Sequence, residues 1–266
     1  MQSEFHDTGV VHIPRALNRD CLAAAQAAYR WSLTHPGPGA GIIPDRNTGD
    51  FYQDLANPAS FPAYDQVVHH PDVVRLIRSL FRGTQAWFMY EQVFKKDGGA
   101  TRRTPWHQDT PYLPVEGNDL VVLWISFGVH TRSEALEFVQ GSHRGRLYDG
   151  SLFHPDDDTA PLYDDPDYER LPDIERNRDA YPITGWATEP GDVIAFHPSV
   201  LHGGGATSQR TQRETLSLRF FGDDAVIAKR PGAKVANPTK NVHPLNRIRA
   251  NPPGTPFRHP EFPQIY

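Results

Sequence analysis

The segment TPWHQDTPY, residues 104–112, places an imidazole and a carboxylate two positions apart, at His107 and Asp109. On a β-strand, residues i and i+2 point to the same face, so both side chains can reach one metal ion. A third ligand from a distant strand would complete a facial triad of two histidines and a carboxylate. That triad leaves coordination positions open and is typical of non-haem Fe(II) oxygenases. The spacing therefore predicts a mononuclear iron centre.

Two histidines in the segment GDVIAFHPSVLHGGG compete for the third position. His202 is followed by three glycines, which allow the backbone to turn tightly and leave the outer side of the metal open. His197 is followed by Pro198, which indicates that its strand ends there. We expect His202 to be the ligand and His197 to be a hydrogen-bonded core residue.

The H-x-D pattern occurs twice more, as His70-Pro71-Asp72 and His154-Pro155-Asp156. Both copies have proline in the middle. The first opens a predicted helix, where an aspartate suits the positive end of the helix dipole. The second lies in an acidic, irregular segment. We therefore expect neither copy to bind metal, and with thirteen histidines in the chain each ligand needs its own argument.

The elements that must position these ligands change in character along the chain. Residues 17–34 are rich in Ala and Leu and predict a helix, and a second helix should begin at Pro71 and close at Gly83. The stretch between the two helices, which carries Phe51 and Tyr52, is expected to be a loop.

From residue 85 onward, short β-branched or aromatic segments bounded by Gly, Pro or Asp predict strands. These segments cover residues 85–96, 120–130, 135–140, 192–197 and 214–221. Helices followed by many short strands indicate a sandwich or jelly roll with helical support. The helices are too few to bury a core alone, so we expect a single domain over residues 1–266.

Two stretches have no clear period. Residues 144–185 are dense in Asp and Pro and are either a lid over the site or a solvated surface excursion. Residues 230–266 are rich in proline and should wrap the surface as an extended strap. The twenty-five prolines of the chain also argue against long helices elsewhere.

Composition excludes several classes of function. A net charge of −5 and a pI near 6.2 give no general attraction to nucleic acid or to an anionic membrane. A single cysteine, Cys21, fits a reducing compartment. Neither a secretory signal nor a membrane-length apolar run is visible, so we expect a cytoplasmic protein with a small-molecule substrate; a homodimer is left open.

Taken in order, the motifs resemble the phytanoyl-CoA dioxygenase family of 2-oxoglutarate-dependent oxygenases. The matching pieces are WHQD at 106–109, LEFVQGSHRG at 136–145, GDVIAFHPSVLHGGG at 191–205 and RETLSLR at 213–219. The resemblance implies a double-stranded β-helix over about residues 85–225, one Fe(II) ion, and 2-oxoglutarate and dioxygen as co-substrates. It also implies His107, Asp109 and His202 as the iron ligands.

The resemblance further implies which residues bind the co-substrate. The family arginine lies eleven residues after the distal histidine, which gives Arg213. Its permanently charged guanidinium can bind the distal carboxylate of 2-oxoglutarate in a bidentate manner. Arg210 and Arg219 are the alternatives. By strand parity Arg219 shares a face with Arg213. If that face lines the barrel interior, Arg219 pairs with a buried carboxylate or with substrate; the alternative is an ion pair at the end of the strand.

Three more co-substrate residues follow from the resemblance: Gln92, Lys96 and Trp124. Gln92 and Lys96 share strand parity and match a family Q-x-x-x-K pattern, whereas Lys95 points the other way unless a bulge intervenes. Trp124 matches a family tryptophan near the co-substrate, although plain core packing explains it equally well.

The implied activity is hydroxylation of an unactivated C–H bond with release of succinate and carbon dioxide. The alternative is a cupin-like isomerase or lyase that uses a divalent metal without 2-oxoglutarate. Arg213 separates the two hypotheses, because only the first needs a buried arginine at that position. The family's usual P-G-S-H appears here as residues 140–143, QGSH, a departure that affects loop geometry more than chemistry.

Overall fold

The computed structural model describes residues 1–43, 50–97, 103–154, 156–206, 212–231 and 243–266. Its strands, in chain order, are β1 (Val10–Ile13), β2 (Gly41–Ile43), β3 (Asp50–Leu55), β4 (Ala86–Asp97), β5 (Thr104–His107), β6 (Val115–Glu116), β7 (Leu120–Ser126), β8 (Leu136–Val139), β9 (Ile183–Gly185), β10 (Val193–Phe196), β11 (His202–Gly204), β12 (Arg213–Gly222) and β13 (Val226–Ile227). Its helices are α1 (Gln2–Thr8), α2 (Arg19–Thr34), α3 (Phe61–Val68), α4 (Pro71–Leu80) and α5 (Pro244–Arg247).

Two antiparallel sheets form a jelly roll, which confirms the predicted fold. The larger sheet has seven strands in the order β1-β10-β7-β12-β4-β3-β2, and the smaller has four in the order β5-β11-β8-β9. Between them lies an apolar cluster that includes Val122, Trp124 and Ile194 from the large sheet and Phe138 from the small one. One part of the barrel interior is therefore filled by apolar side chains, and another part contains the buried polar side chains of the predicted ligands.

The outer face of the large sheet carries the main core. Along β12, Leu216 and Leu218 are fully buried and pack with residues of α1 to α4 such as Phe5, Ala25 and Ile77. Because side chains alternate along a strand, the residues between these leucines must point into the barrel. The helices thus hold the large sheet from outside and leave its inner face for polar residues.

The N-terminal helices are close to their predicted positions. Asn18 caps α2 by accepting a hydrogen bond from the backbone N–H of Cys21 at 2.9 Å, and α4 begins at Pro71 as expected. The helix α4 ends at Leu80, a few residues before Gly83. None of the helices in the described part of the chain combines the length and apolar character that crossing a membrane requires.

Several expectations about the fold are corrected. The supposed loop with Phe51 and Tyr52 contains β2 and β3, a pair of strands that extends the large sheet beyond β4. Since β1 also joins that sheet, the sheet is not confined to residues 85–225. Strand β2 has only three residues, and β3, with the sequence DFYQDL, lacks a regular apolar alternation. Pairing with the existing sheet decides their conformation.

The two irregular stretches behave differently. Residues 144–185 are mostly irregular, but their last three residues form β9, which pairs with β8. In the described part of the tail, Phe257 and Phe262 pack against Phe221, and Ile265 donates its backbone N–H to the carbonyl of Ala86 at 2.8 Å. These contacts attach the last residues of the tail to β12 and β4.

Candidate metal centre

The three predicted ligands converge on the inner side of the small sheet. His107 is the last residue of β5, His202 is the first residue of β11, and the two are direct cross-strand partners with ring centroids 4.2 Å apart. Potential ligand atoms of His107, Asp109 and His202 all lie within 4.8 Å of one another. Each of the three side chains is buried, with at most 9% of the residue exposed.

Asp109 reaches this cluster by a turn and not by strand parity. The strand β5 ends at His107, and Asp109 has helical backbone angles, φ −76° and ψ −30°, at the start of a short 3-10 helix. Its backbone N–H donates to the carbonyl of Pro198 at 2.7 Å. The expectation that His107 and Asp109 share a strand face was wrong, although their carboxylate and imidazole groups do meet.

Both imidazoles present the same nitrogen to the cluster. Nδ1 of His107 lies 2.8 Å from the carbonyl of Pro105, and Nδ1 of His202 lies 2.9 Å from the carbonyl of Val200. A carbonyl oxygen only accepts, so each Nδ1 carries the proton and each Nε2 keeps its lone pair. The two Nε2 atoms lie 3.4 and 3.8 Å from Oδ1 of Asp109. Burial and the neighbouring His107 lower the pKa of His202 to about 3, which favours the neutral ligand form.

The carboxylate of Asp109 has a second, cationic neighbour. Arg219 on β12 donates from a terminal nitrogen to Oδ2 of Asp109 at 2.9 Å. Of the partners that strand parity left open for Arg219, the structure therefore shows a buried carboxylate. Burial by itself raises the pKa of Asp109, but Arg219 and the two histidines hold it well below its usual range. The carboxylate is therefore ionised and ready to bind a cation.

His197 has the structural environment expected of it. Its Nε2 donates to the carbonyl of Gly117 at 3.2 Å, and its Nδ1 accepts from the backbone N–H of Ser199 at 3.1 Å. With both nitrogens bonded, the ring has no donor left for a metal. It instead fixes the turn that contains Pro198, whose carbonyl holds the backbone of Asp109.

The other H-x-D copies lie elsewhere. His70 and Asp72 form a second cluster of potential ligand atoms with Cys21, beneath the start of α4. In the third copy, His154 is exposed and accepts from the backbone N–H of Asp156 at 3.1 Å, and Pro155 lies outside the described residues. Neither copy contributes to the His107 cluster.

A polar stripe on β12 leads away from the cluster inside the barrel. Arg213, Thr215, Ser217 and Arg219 alternate with the apolar outer-face residues, and all four are buried. Arg219 lies six positions after Arg213 on the strand, so their Cα atoms are roughly 20 Å apart at about 3.3 Å per residue. Arg213 donates to the backbone carbonyls of Glu134 and Gly205, beyond the end of β11. The competing Arg210 lies outside the described residues.

The remaining predicted co-substrate residues adjoin this stripe. In the register of the large sheet, Lys96 is paired with Arg213, while Gln92 and Trp124 flank Ser217 on either side. Lys96 is 1% exposed, and its ammonium lies 4.4 Å from the centroid of the Phe51 ring. Lys95 is paired with Glu214, on the opposite face. Trp124 belongs to the apolar cluster between the sheets. Their roles stay predictions.

Phe153, in the irregular segment 144–185, lies against the ligand His107. This residue was not singled out from the sequence. The ring of Phe153 meets that of His107 edge-on, with centroids 5.0 Å apart, and stacks on Tyr112 at 6.1 Å. Phe153 has a positive φ of 53°, which is strained for an aromatic residue. Tyr112 donates its hydroxyl to the carbonyl of Ser151 at 2.7 Å. No residue spacing marks Phe153, because its contact depends on the path of the segment.

These features agree with the family match. The family model for phytanoyl-CoA dioxygenase (PhyH) matches residues 5–214. The chain belongs to the phytanoyl-CoA dioxygenase family. This confirms the resemblance drawn from the motifs, and it places the H-x-D loop, β11 and the start of β12 inside the matched region.

Among curated relatives of this family member, the probable phytanoyl-CoA dioxygenase of Caenorhabditis elegans is 27% identical over 179 residues, 65% of this chain and 54% of the relative. The peroxisomal phytanoyl-CoA dioxygenase of Homo sapiens is 26% identical over 177 residues, 65% of this chain and 50% of the relative. The chain thus matches about half the length of these curated relatives.

Solved structures with the same fold include two enzymes of nogalamycin biosynthesis. The non-heme alpha ketoglutarate dependent carbocyclase SnoK has a TM-score of 0.70 at 20% identity, covering 99% of this chain and 94% of SnoK. The corresponding epimerase, SnoN, has a TM-score of 0.68 at 18% identity, covering 100% and 96%. EctD from S. alaskensis, solved with 2-oxoglutarate and 5-hydroxyectoine, has a TM-score of 0.64 at 18% identity, covering 90% and 80%.

Proposed function

We propose that this chain is an Fe(II)- and 2-oxoglutarate-dependent dioxygenase that hydroxylates an unactivated C–H bond of a small molecule and releases succinate and carbon dioxide. The observation that carries the proposal is the pair of unprotonated Nε2 atoms, on His107 and His202, aimed at one oxygen of Asp109. Two neutral imidazoles and a carboxylate are the donor set that suits Fe(II) with open positions. The residues present therefore fit the ion.

In this proposal each residue has a defined task. His107, Asp109 and His202 hold the iron, which when bound supplies the oxidising chemistry of the reaction. Arg213 receives the distal carboxylate of 2-oxoglutarate through a charge-assisted hydrogen bond. Burial lowers the pKa of Arg213 to about 10, still far above neutral pH, so the guanidinium keeps its charge.

The buried stripe between the two ends supports a bound dicarboxylate. Thr215 and Ser217 supply hydroxyl groups along β12, and Gln92 adds an amide beside Ser217. Lys96, paired with Arg213, brings a second cation to the same end of the barrel. Both cations would attract the distal carboxylate of an anionic co-substrate bound at this end of the barrel.

A cupin-like isomerase or lyase that uses a metal without 2-oxoglutarate is the competing hypothesis. It has no use for a buried arginine and lysine at the far end of a polar stripe. The epimerase and carbocyclase among the structural neighbours show that this fold also hosts outcomes other than hydroxylation. Succinate formation separates the isomerase from all 2-oxoglutarate enzymes, and a mass gain of one oxygen separates hydroxylation from epimerisation or ring closure.

The decisive experiment has two stages. Under anaerobic conditions, Fe(II) and 2-oxoglutarate together should give the weak visible charge-transfer band of a chelated keto acid, and neither alone should. In air, a library of small molecules is then screened for succinate formation coupled to a product heavier by one oxygen. Absence of the band at millimolar 2-oxoglutarate contradicts the co-substrate assignment, and succinate without oxygen gain contradicts the hydroxylation.

We also propose that residues 144–185 act as a lid over the metal. Phe153 and Tyr112 lie against His107, and the amide of Gln108 donates to the carbonyl of Arg146 at 3.1 Å. Such a segment excludes water and must move to admit substrate. Limited proteolysis should cut it in the metal-free protein and cut it more slowly with Fe(II) and 2-oxoglutarate. Equal resistance to cleavage in both states argues for a permanently ordered surface or dimer contact, and cleavage that ligands do not change leaves the lid without support.

A further inference from the structure

The two oxygens of Asp109 have different neighbours. Oδ1 faces the Nε2 atoms of His107 and His202, at 3.4 and 3.8 Å. Oδ2 faces away from them and accepts a hydrogen bond from Arg219 at 2.9 Å. Arg219 is 5% exposed and its guanidinium lies 4.7 Å from the centroid of the Tyr90 ring. The carboxylate is therefore clamped with one oxygen toward the metal position and the other toward a cation.

A carboxylate ligand can give a metal one oxygen or both. When both bind, one more coordination position is filled, and an octahedral ion offers only about six. In the proposed function, three protein ligands, a chelating keto acid and dioxygen use all of them. A second oxygen from Asp109 would take the position that dioxygen needs.

We propose that Arg219 is a positioning residue that restricts Asp109 to one metal-facing oxygen and thereby keeps a coordination position open. The inference rests on the proposed function and adds a residue to it. Arg219 holds Oδ2 by a charge-assisted hydrogen bond, stronger than one from a neutral donor. A cation this close to a divalent ion weakens metal binding, so Arg219 does not serve to tighten it.

The alternative is that Arg219 only neutralises a buried carboxylate for folding. A structural arginine of that kind normally has its donors satisfied. Here Nε and the other terminal nitrogen, Nη1, are buried and have no hydrogen-bond partner within the described residues. The contact that fixes the guanidinium is the one with Asp109, across the barrel from its own strand. This geometry favours a role at the ligand.

The test uses nitric oxide, which binds open positions on Fe(II) as dioxygen does and gives an electron paramagnetic resonance signal. Arg219→Met removes the hydrogen bond, Arg219→Gln keeps a neutral donor for Oδ2, and Arg219→Leu serves as a second apolar variant should the Met protein not fold. Arg247→Met is the matched control, because it removes an ion pair with Glu261, at 2.5 Å, in the C-terminal tail and touches no ligand.

Each protein is titrated with Fe(II), then with nitric oxide in the presence of Fe(II) and 2-oxoglutarate without oxygen. We expect Arg219→Met to bind Fe(II) at least as tightly as the parent but to need at least about tenfold more nitric oxide. Arg219→Gln and Arg247→Met should titrate with nitric oxide like the parent. A parental nitric oxide titration in Arg219→Met, or a loss of Fe(II) there, overturns the positioning role. A parent protein without the keto-acid band indicates instead that the proposed function has failed.

Discussion

Two regions of this protein bring together potential metal ligands around an H-x-D sequence, and only one of them has free donor atoms. In the first, His107, Asp109 and His202 point unprotonated nitrogens and a carboxylate oxygen at a common point. The second, His70, Asp72 and Cys21, is just as compact. The two clusters differ in whether the lone pairs of their ligand atoms already accept hydrogen bonds.

At the second cluster the donors are engaged in holding helices. Nδ1 of His70 accepts from the backbone N–H of Asp72 at 3.2 Å and so caps α4. The carboxylate of Asp72 accepts from the backbone N–H of Asn18 at 2.8 Å and pairs with Arg75 at 2.7 Å. Burial and the nearby Asp72 raise the pKa of Cys21 to about 12, so its thiol stays protonated. Proximity of ligand atoms therefore does not by itself make a metal site.

The largest expected effect is on iron binding. Alanine at His107, Asp109 or His202 should each abolish binding at micromolar Fe(II), because each removes one donor of the triad. Thermal denaturation measures this directly, since iron at about 100 times its Kd should stabilise the parent by about 2.7 kcal/mol and these variants by nothing. His70→Ala, Cys21→Ala and His197→Ala are the controls and should keep the full iron-dependent shift.

A variant of the second cluster that loses iron would remove the distinction between the two regions. Loss of iron in His197→Ala with retention in His202→Ala would reverse the choice of third ligand. Both outcomes can be read from the same titrations.

The next effect concerns Arg213, on the polar stripe that leads from the first region. Arg213→Ala should weaken 2-oxoglutarate by about 1.5–3 kcal/mol, or roughly tenfold to 150-fold, through loss of a charge-assisted hydrogen bond. The measurement is a titration of the keto-acid band at saturating Fe(II). Arg210→Ala is the control and should change it little. An unchanged titration in Arg213→Ala contradicts the assignment of Arg213 to the distal carboxylate.

A third prediction compares Asp109 with a buried carboxylate that forms no ion pair within the described residues. Glu91 on β4 accepts from the Ser60 hydroxyl at 2.7 Å and the Asn57 backbone N–H at 2.9 Å, yet burial raises its pKa to about 7. The folded state therefore binds this proton more tightly than the unfolded state does, and rising pH removes it at a cost in stability.

Relative to Glu91→Gln, the parent should lose on the order of 2–3 kcal/mol of unfolding free energy as pH rises from about 4.5 to about 7, and no more above that. Urea denaturation of both proteins across this range measures the difference. A difference that does not change with pH would mean that Glu91 is already ionised at low pH and that burial alone does not decide its charge.

The smallest effect is at Asp72. Burial works against ionisation, but the Asn18 N–H and Arg75 outweigh it and lower the pKa of Asp72 below its ordinary value. Its contribution is present at neutral pH and is lost as pH falls below about 4, through the folded-state pKa. Asp72→Asn should cost about 1 kcal/mol at pH 7 and less at pH 3, with iron binding unchanged. A cost independent of pH would exclude the ion pair as its source.

Sequence patterns predicted the parts of the fold that depend on long, regular segments. Strands β4, β7, β10 and β12 appear where β-branched and aromatic residues predicted them, because a buried sheet favours those side chains whatever surrounds it. Helices α2 and α4 followed from composition, a capping residue and a proline at the helix start. The strands β2 and β3 were missed, because they lack a regular apolar alternation and neighbouring strands decide their conformation.

By itself the sequence determined the residue types of the site: His107, Asp109 and His202 were named from spacing, glycines and family resemblance. Only the tertiary structure decided which of their atoms are free, since that depends on the carbonyls of Pro105 and Val200 and on Arg219 across the barrel. Phe153 likewise reaches His107 through the path of an irregular segment. The amino-acid sequence decides which metal-binding groups are available. Hydrogen-bond partners distant in sequence decide which lone pairs remain to bind a metal.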